Sequence, residues 1–318
     1  MSRTGKYIMG ASLRWGANQS NRTKNILKAS SPRTYSSTKL PPNSDGSESQ
    51  HLALAPFTSE PLFRLTESPN PCWSLAEGLP SSNPSDLSGS WKTDEEDGWK
   101  TWEMNKTETR DAYRLLTSAI IPRPIAFVST LSSDGIPNLA PFSYFSMVAH
   151  HPPLISISFS LSSKRPKDTR ENILATKEFT VNIISEPFVE AANATSVEAP
   201  AEVDEWRISG LTMAESIDVK PPWVRESAVG LECGLFHAHE IRPPGSDEIT
   251  HTLVLGLIKR VHVRKSVMKD DGTVDAAKLR AVSRLGGTAY ARVGEGFELP
   301  RPTWKAMRDG LVPKKLEK

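Results

Sequence analysis

The chain is poor in cysteine. It has two among 318 residues, Cys72 and Cys233, far apart and in no metal-binding or redox spacing. That argues against a disulfide framework and for a reducing compartment. No apolar run approaches the roughly 18 residues that cross a bilayer as a helix, so no membrane span is expected. A strand-Gly-x-Gly-x-x-Gly-helix unit is missing. Gly286-Gly287 and Gly294-x-Gly296 do not supply it, which argues against a Rossmann dinucleotide site. Gly-x-Ser-x-Gly is missing too, and with it the sequence case for an α/β-hydrolase. The first 44 residues hold no Asp or Glu.

Those 44 residues do hold Arg3, Lys6, Arg14, Arg22, Lys24, Lys28, Arg33 and Lys39. An Arg- and Ser-rich, acid-free N-terminus has the composition of a mitochondrial transit peptide. Within it, Arg33-Thr34-Tyr35-Ser36 resembles a presequence cleavage pattern. Gly5, Gly10 and Gly16 interrupt helical amphipathicity. An ordinary basic tail on a cytoplasmic protein is the alternative to mitochondrial import. Cleavage after Tyr35 removes seven of 39 basic residues and leaves 32 against 37 acidic ones. The mature chain is then mildly acidic, so no nucleic-acid partner is inferred from the charge.

Residues 1–105 are rich in Ser, Pro, Asn and Thr without a sustained apolar period. Such a stretch buries too little apolar surface to offset its ordering entropy, so a targeting-like, disordered region is expected. Pro41-Pro42 and Ser81-Ser82-Asn83-Pro84 mark linker within it. From Tyr113 the pattern becomes regular apolar alternation. Residues 106–302 are read as one domain and 303–318 as a C-terminal tail.

Inside the domain, Ile125–Thr130 is a strand by its β-branched and aromatic content. Ser132-Ser133-Asp134-Gly135 turns the chain, and a return strand is expected from about Asn138 to Val148. His150-His151-Pro152-Pro153 breaks it. In Leu154–Ser160, Ile155, Ile157 and Phe159 share one face, and Ser156, Ser158 and Ser160 the other. That serine face points to a polar cavity or a wet interface. A helix is expected over Thr169–Thr176, started by a capping-box-like Asp168-x-x-Glu171. Phe179–Ile184, Val229–Ile241 and Thr250–Val263 are further strands. The expected fold is mainly β: a six-stranded antiparallel split barrel with inserted helices.

Chemistry concentrates between Asn138 and Thr169. Phosphates are held by cations, hydroxyls and free N–H groups at a helix start. Ser162-Ser163-Lys164-Arg165-Pro166-Lys167-Asp168-Thr169 brings all three together. Upstream, Pro141 keeps Asn138–Ser143 from pairing fully as a strand, which leaves backbone groups for a planar polar ligand. One site for a phosphorylated aromatic cofactor is the combined reading.

These segments carry a family resemblance. Ile121-Pro122-Arg123-Pro124-Ile125-Ala126-Phe127-Val128-Ser129-Thr130, Asn138-Leu139-Ala140-Pro141-Phe142-Ser143, Pro152-Pro153, Lys167-Asp168-Thr169-Arg170-Glu171-Asn172-Ile173 and Glu178-Phe179-Thr180-Val181-Asn182 occur in this order. The chain from about Tyr113 to Pro302 resembles the flavin reductase-like proteins, which have an FMN-binding split-barrel fold. The resemblance implies noncovalent FMN, NADH or NADPH as reductant, and a homodimer. Carried over, Asn138, Ala140, Pro141, Phe142 and Ser143 line the isoalloxazine and ribityl chain. Phe159, Ser160, Lys164, Lys167, Asp168 and Thr169 surround the phosphate, with Asp168 as a helix cap. Arg284–Tyr290 is the candidate for a late loop near the ring. No proton-transfer residue is assigned. The function implied is FMN-dependent oxidoreduction; the alternative is a flavin-binding or electron-carrying module without its own NAD(P)H turnover. His237, His239 and His251 are read as surface or interface histidines rather than metal ligands.

Overall fold

The computed structural model describes residues 55–59, 63–79, 94, 96–161, 167–200 and 203–311. The Arg33–Ser36 segment and Lys164 lie outside these. A short strand, β1 (Arg64–Thr66), forms in the stretch expected to be linker, and helix α1 (Thr109–Ala119) leads into the domain. The alternating run then gives β2 (Ala126–Leu131), β3 (Pro137–Phe142), β4 (Phe145–His150) and β5 (Pro153–Ser160). Helix α2 (Asp168–Thr176) precedes β6 (Glu178–Ile183). Short helices α3 (Val189–Ala194) and α4 (Glu205–Ser209) and the pair β7 (Met213–Ala214) and β8 (Trp223–Val224) follow. Two long strands, β9 (Val229–Ile241) and β10 (His251–Val263), complete the barrel. After them come α5 (Ala276–Leu279), β11 (Val282–Arg284), β12 (Tyr290–Arg292), β13 (Glu295–Phe297) and α6 (Trp304–Leu311).

Seven strands share one antiparallel sheet, in the order β3-β2-β6-β9-β10-β5-β4. Its outer strands, β3 and β4, are consecutive in the chain and separated only by Ser143 and Tyr144. One bent segment therefore pairs with β2 at one end of the sheet and with β5 at the other. The Ser158 N–H donates to the Tyr144 carbonyl across this corner at 2.9 Å. The sheet curls into the expected split barrel. The uninterrupted return strand Asn138–Val148 is corrected to two strands, which makes seven rather than six. The cause is geometric: a strand serving both edges of a closing sheet has to change direction.

Two clusters form the core. Ala126, Val128, Ile155, Ile157, Phe159, Phe179, Val181, Cys233 and Val254 fill the barrel, plugged by Ile173 of α2. On the other face of β2 and β3, Phe127 and Leu139 pack with Ile184, Phe188, Ala192, Trp206 and Val224. Strand β2 is thus covered on both faces, which explains its nearly continuous apolar sequence. Gly256 of β10 is needed where it stands: a Cβ there would lie 2.5 Å from the Phe179 ring.

The segment before Trp99 is not all linker. β1 pairs in parallel with β13, and Arg64 Nε donates to Glu295 Oε1 at 2.8 Å. Arg292 donates to the Thr58 carbonyl at 2.8 Å. One compact unit runs from Thr58 onward. Among the described residues no helix is long and apolar enough to cross a membrane.

Candidate functional site

The site is built on the outer edge of β3. Strand β3 pairs with β2 along its whole length, Pro137 to Phe142. The expectation that Pro141 prevents full pairing is corrected by the phase of the ladder. Backbone groups of Pro137, Leu139 and Pro141 point away from β2, so neither proline costs a ladder bond. The Leu139 N–H, which faces the same way, donates to Glu205 Oε2 at 3.3 Å. Two prolines and one carboxylate remove the donors from this edge and leave carbonyl oxygens, which also discourages edge-to-edge pairing.

Even-numbered side chains of β3 turn into the barrel. Asn138 Nδ2 donates to Thr169 Oγ1 at 2.8 Å, and both residues are buried. Asn172 Nδ2 donates to Thr130 Oγ1 at 3.0 Å in the same cluster. Phe142 meets Phe159 edge-on, with centroids 4.7 Å apart. Phe159 is fully buried. Asn138, Phe142, Phe159 and Thr169 therefore lock the ring-side strand to the start of α2. The Thr169 hydroxyl, expected at a phosphate, is engaged by Asn138. Ala140, Pro141 and Ser143 are half-buried, and Ser160 is exposed where β5 ends.

The capping box does not form. Lys167, not Asp168, is the N-cap of α2, its own side chain makes no capping hydrogen bond, and the Glu171 N–H donates to the Lys167 carbonyl. Asp168 stands in the first turn, and the Glu171 carboxylate pairs with Arg170. The first turn carries the partial positive charge of its backbone amides, and Lys167 adds a cation at the N-cap.

Two further residues organise the site. Arg123, nearly buried, donates to Ser143 Oγ at 3.4 Å and to the Ile120 and Leu285 carbonyls at 2.8 and 2.9 Å. A fourth bond reaches the Thr117 carbonyl. It joins the end of α1, the corner at Ser143 and the late loop. In that loop the Arg284 guanidinium covers the Tyr290 ring at 4.5 Å. The second residue is Glu205, 6% exposed at the first position of α4. Burial pushes its carboxyl above the ordinary range, and Asp168 and Asp204 push the same way against hydrogen bonds from the backbone. Arg123 belongs to a recognised segment but had no assigned role. Glu205 carries no sequence signal, because its partner Leu139 is 66 residues away.

Two of the candidate histidines stand apart from this site, whereas His251 faces Ser160 across the β5–β10 ladder. His237 and His239 line a cleft of about 400 Å³ with Arg170, Glu240 and Arg242, beyond α2. His251 stacks on Tyr144 with centroids 6.4 Å apart. Among the described residues no three His, Cys, Asp or Glu side chains converge as a metal site.

With this geometry in hand, the sequence profile of the flavin reductase like domain matches residues 118–278. The chain belongs to the flavin reductase-like family. An uncharacterized protein of Halalkalibacterium halodurans is 39% identical over 201 residues, 63% of this chain and 95% of that protein. Another from Bacillus subtilis is 36% identical over 203 residues, 64% of this chain and 98% of its own length. Among solved structures, nitrilotriacetate monooxygenase component B from Bacillus cereus is 37% identical with a TM-score of 0.61, covering 64% of this chain and 99% of that one. The 2-nitrobenzoate 2-nitroreductase of Pseudomonas fluorescens is 26% identical, with a TM-score of 0.56 and coverage of 64% and 98%. Roughly a third of this chain lies outside these alignments.

Proposed function

We propose that this flavin reductase-like protein binds noncovalent FMN and transfers hydride from NADH or NADPH to it. The observation that carries the reading is the start of α2, with a cationic Lys167 as its N-cap, locked through Thr169 and Asn138 to the outer edge of β3. Phosphate end and ring end are thereby fixed relative to each other. Lys167, the first amides of α2 and the Ser160 hydroxyl suit a dianionic phosphate. Lys164, outside the described residues, is proposed to add charge. Thr169 and Phe159 contribute by holding the loop and not by exposed side-chain atoms. Asp168 is not a phosphate ligand, because like charges repel. Ala140, Pro141, Phe142 and Ser143 are proposed to line the ring and ribityl chain, with Arg123 holding Ser143 in place. When bound, the flavin supplies the hydride-accepting ring, and the protein supplies orientation and exclusion of water.

A homodimer is part of the proposal. Met147 and Val148 on β4 and Phe236 on β9 are large exposed apolar residues. Ser146 of β4 and His237 and His239 of β9 share the outer face on which Ser156 and Ser158 pair with Leu255 and Leu253, whereas Met147 pairs with Ile155 on the opposite face. A second copy is proposed to cover the half-buried serine face.

Absorbance of protein reconstituted with FMN tests the cofactor: flavin bands near about 370 and 450 nm should survive desalting. Steady-state oxidation of NADH and NADPH with added FMN tests the reaction. Binding without turnover would favour an electron carrier, and no binding would end the reading.

A further inference from the structure

Glu205 is a buried carboxylate set against the outer edge of β3. Its Oε2 accepts the Leu139 N–H, the outward donor of β3 among Pro137, Leu139 and Pro141. The same strand is tied to the first turn of α2 through the Asn138–Thr169 hydrogen bond. Its own helix fixes it there. Asp204 caps α4 by accepting the Trp206 N–H at 3.0 Å, and Trp206 is buried against Leu139 in the second core cluster. Burying a charge beside another carboxylate is unfavourable. An amide or an apolar side chain would suit the packing better, so the position is explained by what the oxygen holds and not by stability.

We propose that Glu205 is a positioning residue of the flavin site, holding the edge of β3 at the spacing from α2 that lets one flavin reach both. The inference rests on the FMN reading above. Its charge has a second consequence: it opposes the phosphate dianion, so Glu205 favours the ring while disfavouring the phosphate.

Titrations of FMN and riboflavin into wild type, Glu205→Ala and Glu205→Gln, followed by flavin fluorescence, test this. Loss of the acceptor in Glu205→Ala should weaken both flavins about tenfold, the effect of one hydrogen bond. Glu205→Gln keeps an acceptor oxygen and drops the charge. It should restore riboflavin binding to within about twofold of wild type and bind FMN as tightly as wild type or tighter. The ratio of FMN to riboflavin affinity should therefore rise in Glu205→Gln. A residue that only stabilised α4 would leave that ratio unmoved. If Glu205→Ala does not fold, the ratio in Glu205→Gln decides alone: a rise supports the role and an unchanged ratio overturns it. Folded variants with wild-type affinities, or equal losses in both without rescue, also overturn it. A wild type that binds neither flavin would sink the reading of the site, and this inference with it.

Discussion

Lys167 takes the N-cap of α2, a position that usually holds Ser, Thr, Asp or Asn. A lysine there offers the first amides no acceptor of its own, which suits an anion arriving from outside. Lys167→Ala should weaken FMN by roughly tenfold to a hundredfold, the equivalent of about 1.5–3 kcal/mol for a charge-assisted bond. Riboflavin, lacking the phosphate, should change little. Equal losses measured by fluorescence quenching would point instead to a disturbed helix start. Glu232 shows the opposite arrangement, a carboxylate saturated by the protein itself. It is fully buried and accepts the Ile217 and Val219 amides at 2.9 and 3.1 Å, together with that of Asp218. His262 Nε2 lies 2.6 Å from Oε1, the oxygen that also accepts the 2.9 Å bond from Ile217, with the ring stacked on Trp223. Burial pushes the Glu232 carboxyl up, but the bonds from His262 and the amides outweigh it and hold the group below its ordinary value. The folded value being depressed, the stabilisation is fully present above the unfolded value of about 4.3 and is lost as pH falls through the folded one. Glu232→Gln should lower stability by about 3 kcal/mol near neutrality, since one amide cannot serve all these donors. Its melting temperature should also fall less than that of wild type between about pH 5 and pH 3, on the same linkage argument. Neither Glu232 nor Glu205 stands out in the sequence, because each finds its partners in segments brought close only by the fold.

Elements were more legible than their ends. The two-residue period of Leu154–Ser160 placed Ile155, Ile157 and Phe159 inward, as found. The capping box failed because Asp168 and Glu171 match a spacing that many helix starts share, while the chain enters α2 one residue earlier, at an extended Lys167. The break at Ser143–Tyr144 was hidden for another reason: apolar alternation continues through the corner, and only closure of the sheet demands the bend. Arg123 is what holds that corner to its surroundings. Its guanidinium caps α1 from beyond its C-terminus and also binds the loop between β11 and β12. Gly286 makes the close approach possible, since a Cβ there would lie 2.9 Å from that of Ser118 on α1. Arg123→Ala leaves several carbonyls without their donor and should lower stability by about 3 kcal/mol. Arg123→Lys, with a single nitrogen in place of a fork, should recover less than half of the loss. Hydrogen exchange reports the local effect. The Leu285 amide, bonded to the Ala289 carbonyl at 3.0 Å, should lose protection in both variants while the β9–β10 amides keep theirs.

At the scale of the whole molecule, the sequence placed the barrel correctly but drew its N-terminal border too late. Composition sees only whether a stretch can bury a core of its own. It does not see a three-residue strand that borrows the edge of another, as β1 does from β13. That attachment is shallow. All three residues of β1 are exposed, and the Arg64–Glu295 pair is 68% and 53% exposed, so solvent screens it to about 1 kcal/mol or less. Phe63, which rests against Gly296, adds a small apolar contact. A chain beginning at Thr58 should therefore melt with the full-length protein. One beginning at Trp99 forfeits β1 and the Thr58 and Ser59 acceptors of Arg292 and Arg280. Its loss should be about 1–2 kcal/mol, a fall of roughly 2–8 °C for a domain of this size. Flavin affinity should be unchanged in both, because every proposed site residue lies at or beyond Arg123. Calorimetry and flavin titration on the two truncated chains separate the cases. If the Trp99 chain is insoluble or has lost flavin while the Thr58 chain binds normally, the segment from Thr58 to Thr66 belongs to the flavin-binding domain and is not a strap on its surface.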